Sequence, residues 1–401
     1  MKLYAQQGYG TGDEPNKILK GLEAGYIHGA IISPKDYRLC RVTNLLGVMS
    51  DQFPTADRLF DPQFYASLIT QDPNARMGRL QDGEYPYFAQ RRRGQLESEA
   101  QIVQDLRRCL EFQKDLNVSA VIAPNILIRR SLNSIEAVIA KNFVRNAREI
   151  WNEIGDGRRL LVTIAVDAEA LQDKDELMEF LADLTILEER PDGFYLLVAS
   201  PTSLIRPELI DFRTLAGWML MNHALSLNGF EVVNGFSDVL TPFLAAAGGS
   251  AGATGWWSNL KVFSMDRFNP ASGGGRRPVW RYLSKALLNS IRYDELQSVR
   301  DYQPAVLNDL PTDAFYNPEN GSEPTSQVNE VLQTWNAVSS FAGVDDQPDL
   351  EDCRQWIAGA KELYGNINTS VVRLMERSND AHLDSLEDGL QLFAQLAELD
   401  A

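Results

Sequence analysis

The sequence has 401 residues and a net charge of −17, from 38 lysine and arginine residues against 55 aspartate and glutamate residues. This acidity argues against a protein that binds bare nucleic acid, because phosphates are contacted by clustered cationic side chains. A composition of 44% hydrophobic and 23% charged residues is typical of a folded globular protein, and the length suits a barrel of about 250 residues with an appended region.

Cysteine spacing and apolar runs indicate the compartment. Cys40, Cys109 and Cys353 lie far apart and show neither a disulfide framework nor metal-ligand spacing, so we expect a reducing, cytoplasmic environment. No run reaches 18 apolar residues, which argues against a membrane span. The first residues, Met1 to Gln7, lack the apolar core of a signal peptide, so we expect none.

Eight short apolar segments alternate with helical segments in the first 300 residues. Each segment is too continuously apolar for a half-exposed antiparallel strand, which favours a parallel sheet covered by helices. The predicted strands are residues 3–5, 29–34, 56–61, 118–123, 159–166, 193–199, 230–233 and 251–257. Eight such units close most simply into a (β/α)8 TIM-like barrel, with a doubly wound open sheet as the alternative.

The segments between these strands have helical periodicity, with one exception. The predicted helices are residues 18–24, 99–116, 134–154, 174–184, 208–228 and 239–247. Residues 71–95 instead carry turn signals and predict a long loop of the kind that often forms an active-site lid.

The last part of the chain is predicted to extend the barrel with helices. Residues 280–291 are expected to form the closing barrel helix, and residues 301–325 a linker or wrapping segment. Residues 326–401 show apolar helical faces and predict a C-terminal α-helical region. The expected organisation is therefore a barrel over 1–300, a linker over 301–325 and helices over 326–401.

In a TIM-like barrel the active site is built from residues that directly follow the strands. The catalytic candidates are the carboxylates Asp61, Asp167 and Asp238, with Glu169 as the alternative to Asp167. The three aspartates follow the third, fifth and seventh strands, so they could converge on one ligand. Two facing carboxylates can act as nucleophile and acid, or as base and acid, in glycosyl transfer.

Polar, aromatic and cationic residues at the same edge predict a small, polar, anionic ligand, such as a sugar phosphate or a nucleotide. The ligand-binding candidates are Gln6, Gln7, Tyr9, Asn125, Asn234, Ser237, Trp256, Trp257, Asn259, Lys261, Arg267, Arg276 and Arg277. One of the paired tryptophans could stack on a sugar or base, and the arginines lie in a loop that could close over an anion. The alternative for several polar members is capping of the following helix.

None of the three histidines, His28, His223 and His382, falls at a predicted strand end. This placement argues against a histidine-based metal site and against a Ser-His-Asp triad. Carboxylates alone would suit Mg²⁺, but their spacing does not reveal such a site, so we assign no metal and no cofactor.

Two functions are consistent with these features. The first is a carboxylate-dependent transferase or hydrolase of the glycosyl type, acting on the anionic ligand described above. The alternative is a non-catalytic barrel that serves as a scaffold subunit in a multi-protein assembly. It would bind protein partners or a second copy through the C-terminal helices, and it predicts an exposed apolar patch on them.

Overall fold

All eight predicted barrel strands are present in the computed structural model. The model describes residues 1–9, 14–69, 76–154, 157–200, 206, 208–269, 279–317, 326–342, 347–369 and 373–399. The strands of the main sheet are β1 Lys2–Gln6, β2 Gly29–Ile32, β3 Asp57–Phe60, β4 Ala120–Ala123, β5 Leu127–Ile128, β6 Arg159–Asp167, β7 Gly193–Ala199, β8 Glu231–Asn234 and β9 Ala251–Thr254. The short strand β5 is an addition to the eight.

The main sheet is entirely parallel and nearly closed. Its order is β3-β2-β1-β9-β8-β7-β6-β4, with β5 also paired to β6. The two end strands meet where the Ser119 backbone N–H donates to the Arg58 carbonyl at 2.9 Å, and the Arg58 N–H donates to the Ser119 hydroxyl at 2.8 Å. The predicted TIM-like barrel is therefore confirmed, and the open doubly wound sheet is not found.

Helices between the strands cover the outside of the sheet, which is why β2, β3, β4 and β9 are buried along their whole length. These helices are α1 Glu14–Glu23, α2 Leu39–Gln52, α3 Arg93–Leu96, α4 Glu99–Lys114, α5 Ile135–Ile154, α6 Lys174–Thr185, α7 Phe212–Leu227 and α8 Thr241–Ala246. Each of the six predicted helices of the barrel has a counterpart among them.

An ion network closes the N-terminal end of the barrel. The Asp57 carboxylate accepts hydrogen bonds from Lys2 Nζ at 2.8 Å, the Tyr4 hydroxyl at 2.7 Å and Arg159 Nη2 at 2.6 Å. Arg159 also pairs with Glu231 at 2.7 Å. Burial by itself would raise the pKa of Asp57, but the hydrogen bonds and the positive charges outweigh it and lower the pKa. This end of the barrel is thus held by paired charges.

Residues 280–291 do not form the predicted closing helix. The structure has an antiparallel hairpin instead, with strands β10 Arg281–Ser284 and β11 Asn289–Arg292. Burial alternates along β11, where Asn289 and Ile291 are buried and Ser290 and Arg292 are half-exposed. A period of two fits a strand and not a helix, so the helical prediction was wrong.

The helix α10 Gln327–Ser339 lies beside β1 and α1. The Trp335 indole N–H donates to the Thr254 carbonyl at the end of β9, at 3.1 Å. Lys17 Nζ in α1 donates to Gln327 Oε1 at 2.8 Å. The chain reaches α10 through α9 Tyr293–Val299 and two short 3-10 turns. α10 therefore covers the junction of β9 and β1, where a closing barrel helix was expected.

Two further helices, α11 Leu350–Asn368 and α12 Leu383–Leu396, pack on the outside of the barrel. α12 lies against α7, and α11 lies against α8 and α12. The apolar side chains of α12, including Leu386, Leu390 and Phe393, are buried there. The C-terminal helical region is confirmed, whereas the domain limits at 300 and 325 stay a prediction. Among the described helices, none combines the length and apolarity needed to cross a membrane.

Candidate functional site

A buried carboxyl group, Asp61, lies at the C-terminal end of the barrel. It directly follows β3 and is 0% exposed. Its carboxylate accepts hydrogen bonds from the Gln63 backbone N–H at 3.0 Å and from the Tyr65 hydroxyl at 2.9 Å. The Tyr195 hydroxyl, on the distant strand β7, also reaches Asp61 and lies 3.4 Å from Gln6 Oε1. Residues from β1, β3 and β7 thus meet at one point.

The environment of Asp61 changes its acidity. Burial raises its pKa to about 6, although hydrogen bonds from Gln63, Tyr65 and Tyr195 and the charge of Arg267 act in the opposite direction. A carboxyl group with a pKa in this range can both accept and donate a proton near neutral pH. Such a group is suited to general acid–base catalysis.

Backbone conformation at this end of the barrel is unusual. Gln63, Phe236 and Asp238 have left-handed φ values of 54°, 56° and 41°, although none of them is glycine. The turn at Gln63 brings its N–H back to the Asp61 carboxylate. Left-handed conformations of such residues cost of order 1–3 kcal/mol each and occur preferentially at functional sites. Their position after β3 and β8 agrees with a site at the strand ends.

Arg267 supplies a buried positive charge beside Asp61. Its guanidinium carbon lies 5.5 Å from the Phe236 ring centre and 5.7 Å from the Phe268 ring centre, and the side chain is 4% exposed. The nearest paired carboxylate oxygen, Asp36 Oδ2, is 3.8 Å away. In the described part of the chain, Arg267 Nε and Nη1 have no hydrogen-bond partner. A buried guanidinium with unused N–H groups is unfavourable unless a ligand accepts hydrogen bonds from them.

Three more buried side chains at this end carry polar atoms without a partner among the described residues. These atoms are Gln6 Nε2, Gln63 Nε2 and Ser33 Oγ. Gln63 Oε1 already accepts from the Lys35 N–H at 3.1 Å, which leaves its NH₂ group free to donate. Together with Arg267, the unpaired atoms are mainly hydrogen-bond donors. Their natural complement is a group with several acceptor oxygens, such as a carboxylate or a phosphate.

Aromatic rings form a wall next to these polar groups. The ring centres of Tyr65 and Phe263 are 5.0 Å apart, and those of Phe236 and Phe263 are 5.4 Å apart. Phe268 completes the group at 6.2 Å from Tyr65. An apolar wall keeps water away and strengthens the interactions of Asp61 with its neighbours.

The described part of the predicted lid, residues 76–95, belongs to the packed structure of this end. Tyr85 and Tyr87 are buried, and their hydroxyls donate to the Tyr37 carbonyl at 2.7 Å and the Pro62 carbonyl at 2.9 Å. Pro62 adjoins Asp61, so this loop supports the site from behind. Residues 71–75 lie outside the described part of the chain.

Asp238, the catalytic candidate after β8, lies beside the polar side chains of Thr254 and Lys261. The Thr254 hydroxyl donates to its carboxylate, and Lys261 Nζ lies 3.8 Å from Oδ1. Burial raises the pKa of Asp238, whereas Lys261 and Thr254 act to lower it. The neighbouring Ser237 hydroxyl is hydrogen-bonded to the Thr241 hydroxyl at 2.7 Å. The predicted residues Asp238 and Lys261 are therefore brought together.

Asp167 is the last residue of β6, and Glu169 lies two residues further on. Asp167 is half-buried; burial raises its pKa, while the Arg129 charge and the Arg130 backbone N–H lower it. Glu169 is exposed. Within the described residues, no hydrogen bond or ion pair joins Asp61, Asp167 and Asp238. Convergence of the three carboxylates on one ligand stays a prediction.

Two asparagines predicted to bind ligand have their amide groups occupied inside the protein. Asn125 Nδ2 donates to the Thr163 carbonyl at 2.9 Å. Asn234 points outward to α7, where its Oδ1 accepts from the Trp218 indole at 2.7 Å and its Nδ2 donates to Asn222 Oδ1 at 2.7 Å. Asn125 therefore links its loop to β6 and Asn234 links β8 to α7, so both amide groups serve structural contacts.

Gln7, Tyr9 and Trp256 make hydrogen bonds that join neighbouring loops at this end of the barrel. Gln7 Oε1 accepts from the Ser33 N–H at 3.3 Å. The Trp256 indole N–H donates to the Tyr9 carbonyl at 3.2 Å, and the Tyr9 N–H donates to Asp36 Oδ2 at 3.1 Å. Trp256 is buried, whereas the Tyr9 side chain is exposed and available to a ligand.

The remaining ligand-binding candidates are Trp257, Asn259, Arg276 and Arg277. Trp257 is half-buried and Asn259 is exposed. Arg276 and Arg277 lie outside the described residues. The described residues also contain no group of three histidine, cysteine or acidic side chains placed to hold a metal ion.

Several residues of the site did not emerge from sequence reasoning. Tyr65, Tyr195, Phe236 and Phe263 sit inside helical turns, a strand or a loop, where an aromatic residue normally indicates core packing. One available signal was the spacing of Tyr65, four residues after Asp61. Tyr195 could be found only by knowing which face of β7 points into the barrel.

The fold and site define a TIM-like barrel with a buried, donor-rich polar cluster at the C-terminal ends of its strands. No protein-family model matches the sequence, and a search of curated proteins gives no significant match.

Proposed function

We propose that this protein is an enzyme that binds a small anionic ligand of the sugar phosphate or nucleotide type and acts on it through Asp61. One observation carries the proposal: Arg267 is buried beside Asp61, and two of its nitrogen atoms, Nε and Nη1, have no hydrogen-bond partner among the described residues. The reaction class we favour is glycosyl transfer or hydrolysis, which carboxyl groups catalyse without a cofactor.

Binding would use the unpaired donors. The Arg267 charge is offset within the described residues only by Asp36 at 3.8 Å and by the ionised fraction of Asp61. An anion that accepts from Arg267 would supply the missing charge, and the free amides of Gln6 and Gln63 would add hydrogen bonds to neighbouring oxygens. Charge-assisted hydrogen bonds are about twice as strong as neutral ones, so Arg267 would dominate affinity.

Chemistry would use Asp61 as nucleophile or as acid and base. Tyr65 and Tyr195 hold its carboxyl group in place, and its pKa of about 6 allows proton exchange with a leaving group near neutral pH. Glycosyl chemistry normally needs a second carboxylate. Asp238 is our candidate because it is buried at the same end of the barrel and lies close to Lys261.

A binding experiment tests the first half of the proposal. We expect AMP and ribose 5-phosphate to raise the Tm of the protein and adenosine and ribose to leave it unchanged, measured by differential scanning fluorimetry. Arg267→Met should abolish the effect. The matched control is Arg213→Met, since Arg213 is exposed and pairs with Asp211 on the surface of α7. Equal shifts from charged and uncharged sugars would contradict the proposal.

Activity tests the second half. Nucleotides that raise Tm would be incubated with the protein, and release of the base would be followed by chromatography. We expect release with the wild-type protein and a loss of at least about 100-fold with Asp61→Asn, the usual scale for a general acid or base. Binding without turnover in wild-type protein would leave Arg267 as an anion site and remove the catalytic role of Asp61.

The alternative function, a scaffold subunit, finds less support. It predicts an exposed apolar patch on the C-terminal helices, but the large apolar side chains exposed in the described residues include none from α10, α11 or α12. Native mass spectrometry of protein purified from its own source distinguishes the two: a stable complex with other proteins and no retained small ligand would favour the scaffold.

A further inference from the structure

A cavity lies between the hairpin and α11. Its volume is about 510 Å³, within the range of small-molecule sites. One wall is aromatic: the ring centres of Phe341 and Trp356 are 4.7 Å apart, at an interplanar angle of 66°. Lys285, from the hairpin turn, lies beside this wall, and Leu363 of α11 adds an apolar side chain to the lining. The cavity therefore combines two aromatic rings with one ammonium group.

The ammonium group of Lys285 has no counter-charge in the described residues. Its Nζ donates one hydrogen bond, to the Ser340 carbonyl at 2.8 Å, and lies 5.0 Å from the Phe341 ring centre. Burial lowers the pKa of Lys285, and no acidic group contributes to raising it. Glu362 lines the same cavity but forms no ion pair with Lys285. A half-buried ammonium group with remaining N–H donors favours an anion beside it.

Space above α11 leaves room for a ligand. Gly359 lines the cavity, and a Cβ atom built on it would meet nothing within 4 Å. Gly47 and Gly365 are equally open, so the space at this position, and not the choice of glycine, is what bears on binding. A backbone without a side chain permits a flat ligand to approach the helix closely.

We propose that this cavity binds a small aromatic carboxylate, with the ring against Trp356 and Phe341 above Gly359 and the carboxylate on Lys285. The ring would contact the edges and faces of the two aromatic side chains. One carboxylate group would accept hydrogen bonds from the remaining N–H donors of Lys285 and balance its charge. This site is separate from the barrel mouth and does not depend on the function proposed there.

Isothermal titration calorimetry with the full chain tests the proposal, using indole-3-acetate and its neutral amide, indole-3-acetamide, as probes. We expect the acid to bind at least about tenfold more tightly than the amide, because a hydrogen bond to a charged group contributes at least the free energy that corresponds to this ratio. Lys285→Met should reduce the affinity for the acid to that for the amide. Arg267→Met should leave binding of the acid unchanged.

Gly359 provides a matched pair of variants. Gly359→Phe should fill the cavity and abolish binding, whereas Gly359→Ala should preserve it, with unchanged circular dichroism in both. Equal affinity for acid and amide, binding that survives Gly359→Phe, or loss of binding in Arg267→Met would each overturn the proposal. No measurable binding of the acid to the wild-type protein would overturn it as well.

Discussion

The properties of single residues in this protein depend on their surroundings more than on their chemical type. Asp57 and Asp61 lie four positions apart, at the two ends of β3. Asp57 meets Lys2 and Arg159, and its pKa is lowered. Asp61 meets hydrogen-bond donors and the charge of Arg267, but burial outweighs them and its pKa rises to about 6. Two aspartates of one strand thus differ in acidity because one has close cationic partners and the other is fully buried.

The raised pKa of Asp61 makes a prediction about stability. Its pKa is about 6 in the folded protein and about 3.9 when unfolded, so the native state holds more protons between these values. The contribution of Asp61 to the free energy of unfolding therefore falls as the pH rises through this window. At pH 7 we expect Asp61→Asn to be more stable than wild type by roughly 1–3 kcal/mol, and to be inactive.

Urea denaturation at about pH 4 and about pH 7 measures this difference. The gain in stability should be present at the higher pH and largely lost at the lower one, where Asp61 is protonated in the folded state and about half protonated in the unfolded state. Asp51→Asn, an exposed position in α2, is the control and should change little at either pH. A variant less stable than wild type at pH 7 would show that Asp61 is held mainly as a structural anion.

At the scale of elements, the closing position of the barrel is filled by a helix from far along the chain. α10 replaces the closing helix predicted over residues 280–291, and its Trp335 ring packs on α1. A Cβ atom built on Gly21 would lie 2.8 Å from two carbon atoms of this ring. The close approach of α1 and α10 thus requires glycine at this position.

A pair of glycine substitutions tests this contact. Gly21→Ala should destabilise the protein by about 1–3 kcal/mol, because the added methyl group overpacks against Trp335. Gly47→Ala is the matched control in α2, where a Cβ atom would meet nothing within 4 Å. It should stabilise the protein by about 0.5–1 kcal/mol, the usual difference between glycine and alanine in a helix. Denaturant midpoints of both variants measure these effects, and equal midpoints would argue against a tight α1–α10 contact.

At the scale of the whole molecule, the C-terminal helices are tied to the barrel by buried polar contacts. Arg206, which follows β7, pairs with Glu208 at 2.5 Å and donates from Nη1 to Asn379 Oδ1 at 3.0 Å. Its Nη2 lies 3.1 Å from His382 Nδ1. Arginine can only donate, so this nitrogen accepts, and His382 Nε2–H donates to the Leu287 carbonyl at 3.0 Å. The histidine is therefore neutral, and burial lowers its pKa to about 4.

This arrangement predicts that the barrel does not fold alone. Removing residues 326–401 would expose the apolar faces of α1 and α7. It would also remove Asn379 and His382, the C-terminal partners of the buried Arg206. We expect the truncated protein to be insoluble or to bind the dye ANS strongly. Removing only residues 397–401, which follow α12, is the control and should leave Tm unchanged. A truncated barrel with a native Tm would instead show that 326–401 is an independent domain.

Local patterns were sufficient to predict most of the barrel. Most strands are short, largely apolar runs, and burial on both faces of a parallel sheet favours this pattern wherever the strand lies. The segment at 280–291 was misread because its apolar residues are also compatible with a helix, whereas the hairpin is stabilised by contacts with distant segments. Leu283, for example, exchanges two hydrogen bonds with the Gln333 amide of α10.

The sequence by itself determined the eight strands, their parallel arrangement and the edge of the barrel where a site would form, because these depend on hydrophobic periodicity and strand order. It also identified Asp61, Gln6 and Arg267 as members of that edge. Only the tertiary structure decided which polar groups are buried together, since Tyr195, Asp61 and Arg267 come from distant segments. It likewise decided that Asn125 and Asn234 serve structural contacts, because hydrogen-bond partners depend on orientation, which spacing along the chain does not specify.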